Sequence, residues 1–422
     1  MAVWEPGSGA IPRLMEVLEE MTSQRWSQAI VAFFFATTGP LVILLQAGHL
    51  GHQPTAVVDS WIFSGYAIGG LLTWLMTLYY RQPIGIAWTI PGGVLAGAAL
   101  THLPLDQVVG AYLVTGLFIL VLGLTGWIRT IMALLPLPII MGMVAGVFLP
   151  FGLNIITAFQ GAPLISAVTF VVFLGMTRMP QVARRIPPIL GAIIAGFATA
   201  AASGHLNWGH VAWQVVTPRL FAPRFSLSAI LELVLPLTVT VIGIQNAQGI
   251  AVLRQAGFRP PVNAMTIVCG VGSLVMGGLG WVSACVTGPV NAILCDDDEP
   301  QGRYVGALIW GALLVLFGLL APVVSGLWSA IPAIFVGMLA GLAMMHVLAG
   351  SFQGAFSGPL RLGALFAFLI TVSNLSIFRI GAPFWGLLGG TLISLVLERK
   401  EFLALVRPAG AVEERAAAQA AR

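Results

Sequence analysis

Apolar residues fall in long runs separated by short clusters of arginine, proline and acidic residues. Most runs are about 17–24 residues long, enough for a helix to cross a hydrocarbon core of roughly 30 Å. The pattern predicts fourteen spans, at 28–47, 57–79, 84–100, 106–126, 130–150, 163–178, 187–203, 227–250, 262–280, 283–295, 304–323, 328–348, 361–377 and 382–397. Within lipid only a helix satisfies its own backbone N–H and C=O groups, so an all-α membrane protein is expected. Ahead of the first run, Leu14, Val17, Leu18 and Met21 recur at helical spacing. They predict a short amphipathic helix at the cytoplasmic interface. The chain then divides into a cytoplasmic N-terminal segment (1–27), a first group of seven spans (28–205), an external linker (206–226), a second seven (227–397) and a cytoplasmic tail (398–422).

Composition excludes a soluble surface, since 58% of residues are hydrophobic and 8% charged. The 50 glycines and 26 prolines fit a bundle with broken helices. Charge sorts by loop. With the N-terminus inside, sixteen of nineteen basic residues fall on the cytoplasmic side, and only Arg219, Arg224 and Arg379 fall outside. These residues form no basic stripe, so nucleic acid is not an expected partner; the lipid bilayer is. Cys269, Cys285 and Cys295 lie within or at the ends of spans and imply no disulfide. Met1–Gln24 carries Glu5, Glu16, Glu19 and Glu20 and reads as no signal peptide. No metal or cofactor is expected. Asp296–Glu299 reads as a solvated loop, and His49 with His52 as surface residues. No Ser/His/Asp set, phosphate loop or zinc motif is visible, so the chain does not read as an enzyme.

The two sevens repeat. At an offset of 195 residues, Gly142-Met143-Val144-Ala145-Gly146 falls on Gly337-Met338-Leu339-Ala340-Gly341, and Pro188 and Gly191 fall on Pro383 and Gly386. An odd number of spans per copy makes the copies inverted, an arrangement that binds substrate near the midplane at broken helices. Two spans read as broken. Span three holds Trp88-Thr89-Ile90-Pro91 and span ten holds Val286-Thr287-Gly288-Pro289. Proline suits the first helical turn, and threonine just ahead is a possible N-cap. Each span is therefore expected to be a short strand followed by a half-helix, with both N-termini aimed at one cavity. Thr38 of span one, and Gln245 and Asn246 of span eight, add polar groups at membrane depth. Glu232, about 20 Å from Gln245 along a helix, is a candidate for proton coupling, and reads equally as a vestibule residue, with water or the substrate itself as the alternative proton carriers.

Tyr80-Arg81-x-Pro83 with Ala87-Trp88-Thr89-Ile90-Pro91-Gly92, and Gln245-Asn246-x-x-Gly249-Ile250-Ala251 with Ala256-Gly257-Phe258, resemble the benzoate/proton symporter family. Phe384-Trp385-Gly386-Leu387 agrees. The resemblance covers roughly residues 28–397. It implies a fold shared with nucleobase and sulfate permeases, a core domain of spans one to four and eight to eleven, and a gate domain of the remainder. It allows a homodimer through the gate. It further implies import of a small aromatic carboxylate with a proton. Trp88, Thr89, Ile90, Thr38, Gln245, Asn246, Thr287 and Gly288 are then the expected substrate residues. Thr287-Gly288-Pro289 and Ile90 depart from the family pattern, both at the expected pocket. The rival readings are a nucleobase-like or inorganic-anion permease, an anion channel and a non-transporting sensor. Against the nucleobase reading, the expected pocket holds no carboxylate.

Overall fold

The computed structural model describes residues 4–8, 11–126, 136–179, 181, 187–204, 213–296, 302–329, 332–373, 375, 377 and 381–406. The start of span five, Arg184, Arg185, the first part of the linker, Asp297–Glu299, Arg379 and the tail beyond Val406 lie outside the described residues.

In chain order the elements are α1 (Leu14–Glu19), α2 (Ser23–Leu50), α3 (Thr55–Ile62), a π-helical stretch (Phe63–Ile68), α4 (Gly69–Tyr80), β1 (Ile86–Trp88), α5 (Ile90–Leu100), α6 (Leu105–Thr125), α7 (Leu137–Gly161), α8 (Pro163–Arg178) and α9 (Pro188–Ala202). The second half continues with α10 (Leu227–Val239), a second π-helical stretch (Thr240–Asn246), α11 (Ala247–Gln255), α12 (Val262–Gly278), β2 (Ala284–Val286), α13 (Gly288–Leu294), α14 (Arg303–Leu319), α15 (Ala321–Ser329), α16 (Ala333–Phe356), α17 (Arg361–Val372), α18 (Ala382–Leu397) and α19 (Arg399–Val406). Among the described residues, six helices are long and apolar enough to cross a membrane. A seventh is the pair α14–α15, bent by 69°, and six shorter apolar helices accompany them. The protein is a mostly helical, multi-pass membrane protein.

Two helices run further than their apolar runs suggest. Span five was expected to stop at 150, yet α7 continues through Pro150 to Gly161. Proline deletes one ladder bond, and neighbouring helices in a bundle tolerate that loss. Span twelve was expected to end at 348, and α16 continues through Gly350 and Ser351 to Phe356.

The chain forms two compact units. The first comprises residues 1–124 and 150–345, the second 125–149 and 346–422. In the second, α17 and α18 pack closely through small residues, with Gly363 against the Gly390 carbonyl. The Glu398 carboxylate accepts the Leu362 and Gly363 N–H groups at 2.8 and 2.9 Å, satisfying donors at the α17 N-terminus. In the first unit, the N-terminal segment is strapped to the ends of α4 and α12. The Glu5 carboxylate accepts the N–H groups of Asn263 and Ala264, each at 2.9 Å, in the first turn of α12. An anion there complements the positive end of the helix dipole. The Tyr80 hydroxyl donates to the Glu5 carbonyl at 2.8 Å, and Arg81 pairs with Glu16 at 3.0 Å. Arg25, buried at the start of α2, is held by the carboxylate and carbonyl of Glu20.

Candidate functional site

The site is built on the smallest possible sheet. β1 and β2 pair antiparallel, with Ile86 opposite Val286, Ala87 opposite Cys285 and Trp88 opposite Ala284. The ladder extends one step each way, from the Thr89 N–H to Ser283 and from the Thr287 N–H to Gly85, both at 3.0 Å. Two three-residue strands are not stable in isolation, and an open edge at membrane depth would leave backbone donors unpaired. Side chains supply the missing acceptors. Thr73 Oγ1 takes the Ile86 N–H at 2.9 Å and Asn291 Oδ1 takes the Gly85 N–H at 2.8 Å. Ser273 Oγ takes the Ala284 N–H at 3.0 Å and Asn246 Oδ1 takes the Val286 N–H at 2.8 Å.

Each strand leads into a helix, α5 after Thr89 and α13 after Thr287. Because the strands are antiparallel, the two helix N-termini stand at opposite ends of the ladder. Four residues of strand rise put them roughly 14 Å apart. One carboxylate therefore cannot touch both ends at once. The two ends also differ chemically. Thr89 is fully buried; its Oγ1 accepts the Gly92 N–H at 3.3 Å and contacts Thr240 Oγ1 at 3.3 Å. Thr287 makes no such cap, and its hydroxyl has no hydrogen-bond partner.

The π-helical stretch and α11 run alongside the ladder. Thr240 meets Thr89 at one end, Asn246 meets Val286 near the other, and Gln248 lies over Gly288, where an added Cβ would come within 2.5 Å of its Cγ. Extra residues in a π-turn re-aim side chains, and such turns recur at functional sites. Asn246 is 1% exposed, and since its oxygen is committed to Val286, its Nδ2 points elsewhere and has no partner. Asn246 Nδ2 and Thr287 Oγ1 are thus two unpaired polar groups flanking the same residue, Val286. Gln245 is buried on the same stretch, and Ile90 is partly exposed at the start of α5.

Two expected residues sit differently. Trp88 is 2% exposed and packs edge-on against Tyr66 and Trp281, so it faces protein rather than an open pocket. Thr38 is buried and donates back to the Phe34 carbonyl at 2.6 Å. Two residues further along α2, Pro40 has no N–H for the Ala36 carbonyl; the Tyr66 hydroxyl donates to it instead, at 3.0 Å. Tyr66 also packs edge-on against the Trp88 ring, so it links the proline site in α2 to β1.

A cavity of about 1020 Å³ opens at the end of the unit that carries the N-terminal strap, lined by Gln24, Gln28, Phe35, Val252, Gln255 and Ala292 among others. Val252 is six residues beyond Asn246, roughly 9 Å along the helix. At the other end of α2, a cavity of about 330 Å³ is lined by Gln46, His49, His52, Ser325 and Trp328 among others.

A family model described as benzoate membrane transport protein matches residues 21–396. The chain belongs to that family. It is 30% identical over 361 residues to the inner membrane protein YdcO of Escherichia coli (strain K12), covering 84% of this chain and 91% of that one. It is also 30% identical over 397 residues to the benzoate membrane transport protein of Acinetobacter baylyi (strain ATCC 33305 / BD413 / ADP1), covering 91% and 98%. Among solved structures, SLC26A9 matches with a TM-score of 0.64 at 14% identity, over 91% of this chain and 67% of that one. The transmembrane domain of a cyanobacterium bicarbonate transporter, BicA, matches with 0.60 at 14% identity, over 87% and 97%. At that identity the likeness establishes a shared fold. Membership in the benzoate transport family makes the protein a membrane transporter rather than an enzyme.

In this family member the lone carboxylate expected at Glu232 is not alone. Glu232 is 3% exposed in α10, and its Oε2 lies 3.1 Å from His102 Nε2. His102 belongs to the turn after α5 and gave no sequence signal, because nothing in the chain's periodicity links positions 102 and 232. The hydrogen bond to Glu232, more than its charge, raises the imidazole above the usual 6.5 against the opposing effect of burial. The stabilisation this gives is complete below that ordinary value and is lost as pH rises through the raised one.

Proposed function

We propose that the protein imports a small aromatic carboxylate, benzoate or a near relative, with a proton, by alternating access across the inner membrane. The observation that carries this reading is the pair of unpaired groups beside Val286. The Asn246 amide and the Thr287 hydroxyl are both neutral donors, placed where α13 begins and beside a helix stretch with no acidic side chain from Thr240 to Gln255. Such a surface suits an anion and disfavours a basic ring. Gln248 and Gly288 border the same place, Gln245 is the buried residue next to Asn246 in the chain, and Ile90 stands at the far end of the ladder. Thr89, Thr38 and Trp88 hold the frame. The large cavity at the strap end is lined by Val252, on the same helix as Asn246 and roughly 9 Å along it.

The architecture supports fourteen spans. Taking the bent pair as one span and counting the six shorter apolar helices and the short α13 beside the six long helices would give fourteen. Two inverted sevens, with core and gate domains, accommodate the repeated Gly-Met-x-Ala-Gly block. The charge sorting places both termini and the strap in the cytoplasm, and His49, His102 and residues 213–226 outside. Gln214→Cys should then react with an impermeant maleimide in intact cells, and Arg399→Cys should react only after permeabilisation. The reverse pattern refutes this topology.

Transport is tested in proteoliposomes preloaded with unlabelled benzoate. External radiolabelled benzoate is expected to exchange in, with competition from substituted benzoates and little from benzamide, uracil or bicarbonate. Equal competition by uracil or bicarbonate would move the substrate out of the aromatic acids. Electrical conductance far above carrier turnover would make the protein a channel.

A further inference from the structure

We infer that His102 and Glu232 together form the proton-loading site of the transport cycle, on the external side. The inference rests on the proposed proton-linked import of a carboxylate and names where that proton binds.

The geometry has three parts. First, Glu232 is a carboxylate with 3% exposure on a membrane-spanning helix, a placement that is costly unless the charge is paired or neutralised. Second, its partner is a histidine at 3.1 Å that is more than a third exposed, so one member of the pair meets water while the other meets the bundle. Third, the helices bearing the pair also bear the site. α5 starts at Thr89 and ends two residues before His102, and α10 leads from Glu232 into Thr240. The two helices are bridged at both ends, by Thr89–Thr240 at 3.3 Å and by His102–Glu232 at 3.1 Å. A change of charge at one end alters the packing of the helix pair that frames the ladder at the other.

Among the described residues, the charged or titratable groups towards this end include His49 and His52, at the end of α2, which packs on α5, Asp59 of α3, which bonds Ser325 beside those histidines, Asp106 at the start of α6 and Arg224 in the linker. The Arg224 N–H donates to the Asp106 carbonyl at 2.9 Å. α5 itself carries no titratable side chain.

The charges balance. Without a proton the pair carries one negative charge, on the Glu232 carboxylate. One external proton, on His102 Nε2 or on the carboxylate, brings it to zero. The aromatic carboxylate then moves inward with a neutral pair, the proton leaves to the cytoplasm, and the bare carboxylate returns without substrate. The complete cycle moves no net charge, so the membrane potential does not oppose uptake. The distance from Glu232 to Gln245, about 20 Å along the helix, rules out direct proton transfer between the pair and the substrate. The link is through the shared helix pair.

The experiment compares two modes in the same proteoliposomes: benzoate exchange at equal pH, and net benzoate uptake driven by an inward proton gradient. Glu232→Gln is expected to exchange benzoate within about twofold of wild type while gradient-driven uptake falls by about tenfold or more. His102→Gln removes one of the two sites that can hold this proton, so the pair binds it less tightly and the external pH of half-maximal uptake is expected to fall. Asp106→Asn should leave both modes unchanged. Gradient-driven uptake surviving in Glu232→Gln overturns the proposal, as does a parallel loss of exchange or an unmoved pH profile in His102→Gln. A wild-type protein that exchanges benzoate but ignores the gradient overturns the proton site alone. One that exchanges no aromatic carboxylate overturns the transport reading, and the proton site falls with it.

Discussion

Asn246→Asp is expected to lower benzoate affinity at pH 7.5 by at least about a hundredfold while barely changing the affinity for uncharged benzamide. Two like charges 4 Å apart repel by about 4 kcal/mol at an effective dielectric of 20, nearly a thousandfold, and local water softens this. The substitution is well chosen because it isolates charge. An aspartate oxygen still accepts the Val286 N–H, which now reaches Asn246 Oδ1 at 2.8 Å, so the strand edge stays satisfied. Only the unpaired Nδ2 is exchanged for a negative oxygen. Asn246→Ala behaves differently. It strands the Val286 N–H in a buried setting, a penalty of about 1–3 kcal/mol, so both ligands should weaken by about tenfold and the melting temperature should drop. Calorimetric titration of both ligands on both variants decides the matter. An aspartate variant that binds benzoate like wild type removes the anion from this position.

Gly142→Leu is expected to abolish the folded protein, whereas Gly337→Ala should melt close to wild type. The repeat makes these two glycines equivalent, and sequence reasoning would assign them the same role in sliding one domain on another. Their surroundings differ. A Cβ on Gly142 would lie 2.2 Å from the Ala364 carbonyl oxygen and 2.9 Å from its carbon, a backbone clash that no rotamer change relieves. Even modest overpacking of this kind costs about 1–3 kcal/mol, and a leucine adds three more carbons. At Gly337 the nearest neighbour to an added Cβ is the Asn154 side chain at 3.6 Å, an ordinary contact. Size-exclusion profiles and melting curves of Gly142→Ala, Gly142→Leu and Gly337→Ala test the contrast. A Gly142→Ala protein as stable as wild type would show that α7 and α17 separate more easily than their close approach indicates.

Much of the architecture was legible because the bilayer simplifies the problem. Apolar runs of spanning length become helices wherever they occur. The failures in the element boundaries were local. The apolar runs end at 150 and 348, while the helices continue through Pro150 and Gly350, since neighbouring helices can compensate for a weak turn. At the site, the Thr-x-Pro pattern located both strand-to-helix junctions. It could not show that the Thr89 hydroxyl is spent on Gly92 and Thr240 while that of Thr287 is unpaired. Nor could it reveal Tyr66 standing in for the N–H that Pro40 lacks, though a proline in mid-helix always leaves some carbonyl in need of a donor.

By itself, then, the sequence determined the membrane setting, the helical class and the short segment of each half where the helix breaks. These follow from hydrophobicity, backbone hydrogen bonding and the stereochemistry of proline, all of which act over a few residues. The tertiary structure alone decided the rest. It set the antiparallel register that keeps the two half-helix N-termini apart, committed the Asn246 oxygen to Val286 and left its amide unpaired, and brought His102 to Glu232 across 130 residues of chain. Each of these is a contact between distant segments, chosen by how helices pack, and no local rule along the chain encodes it.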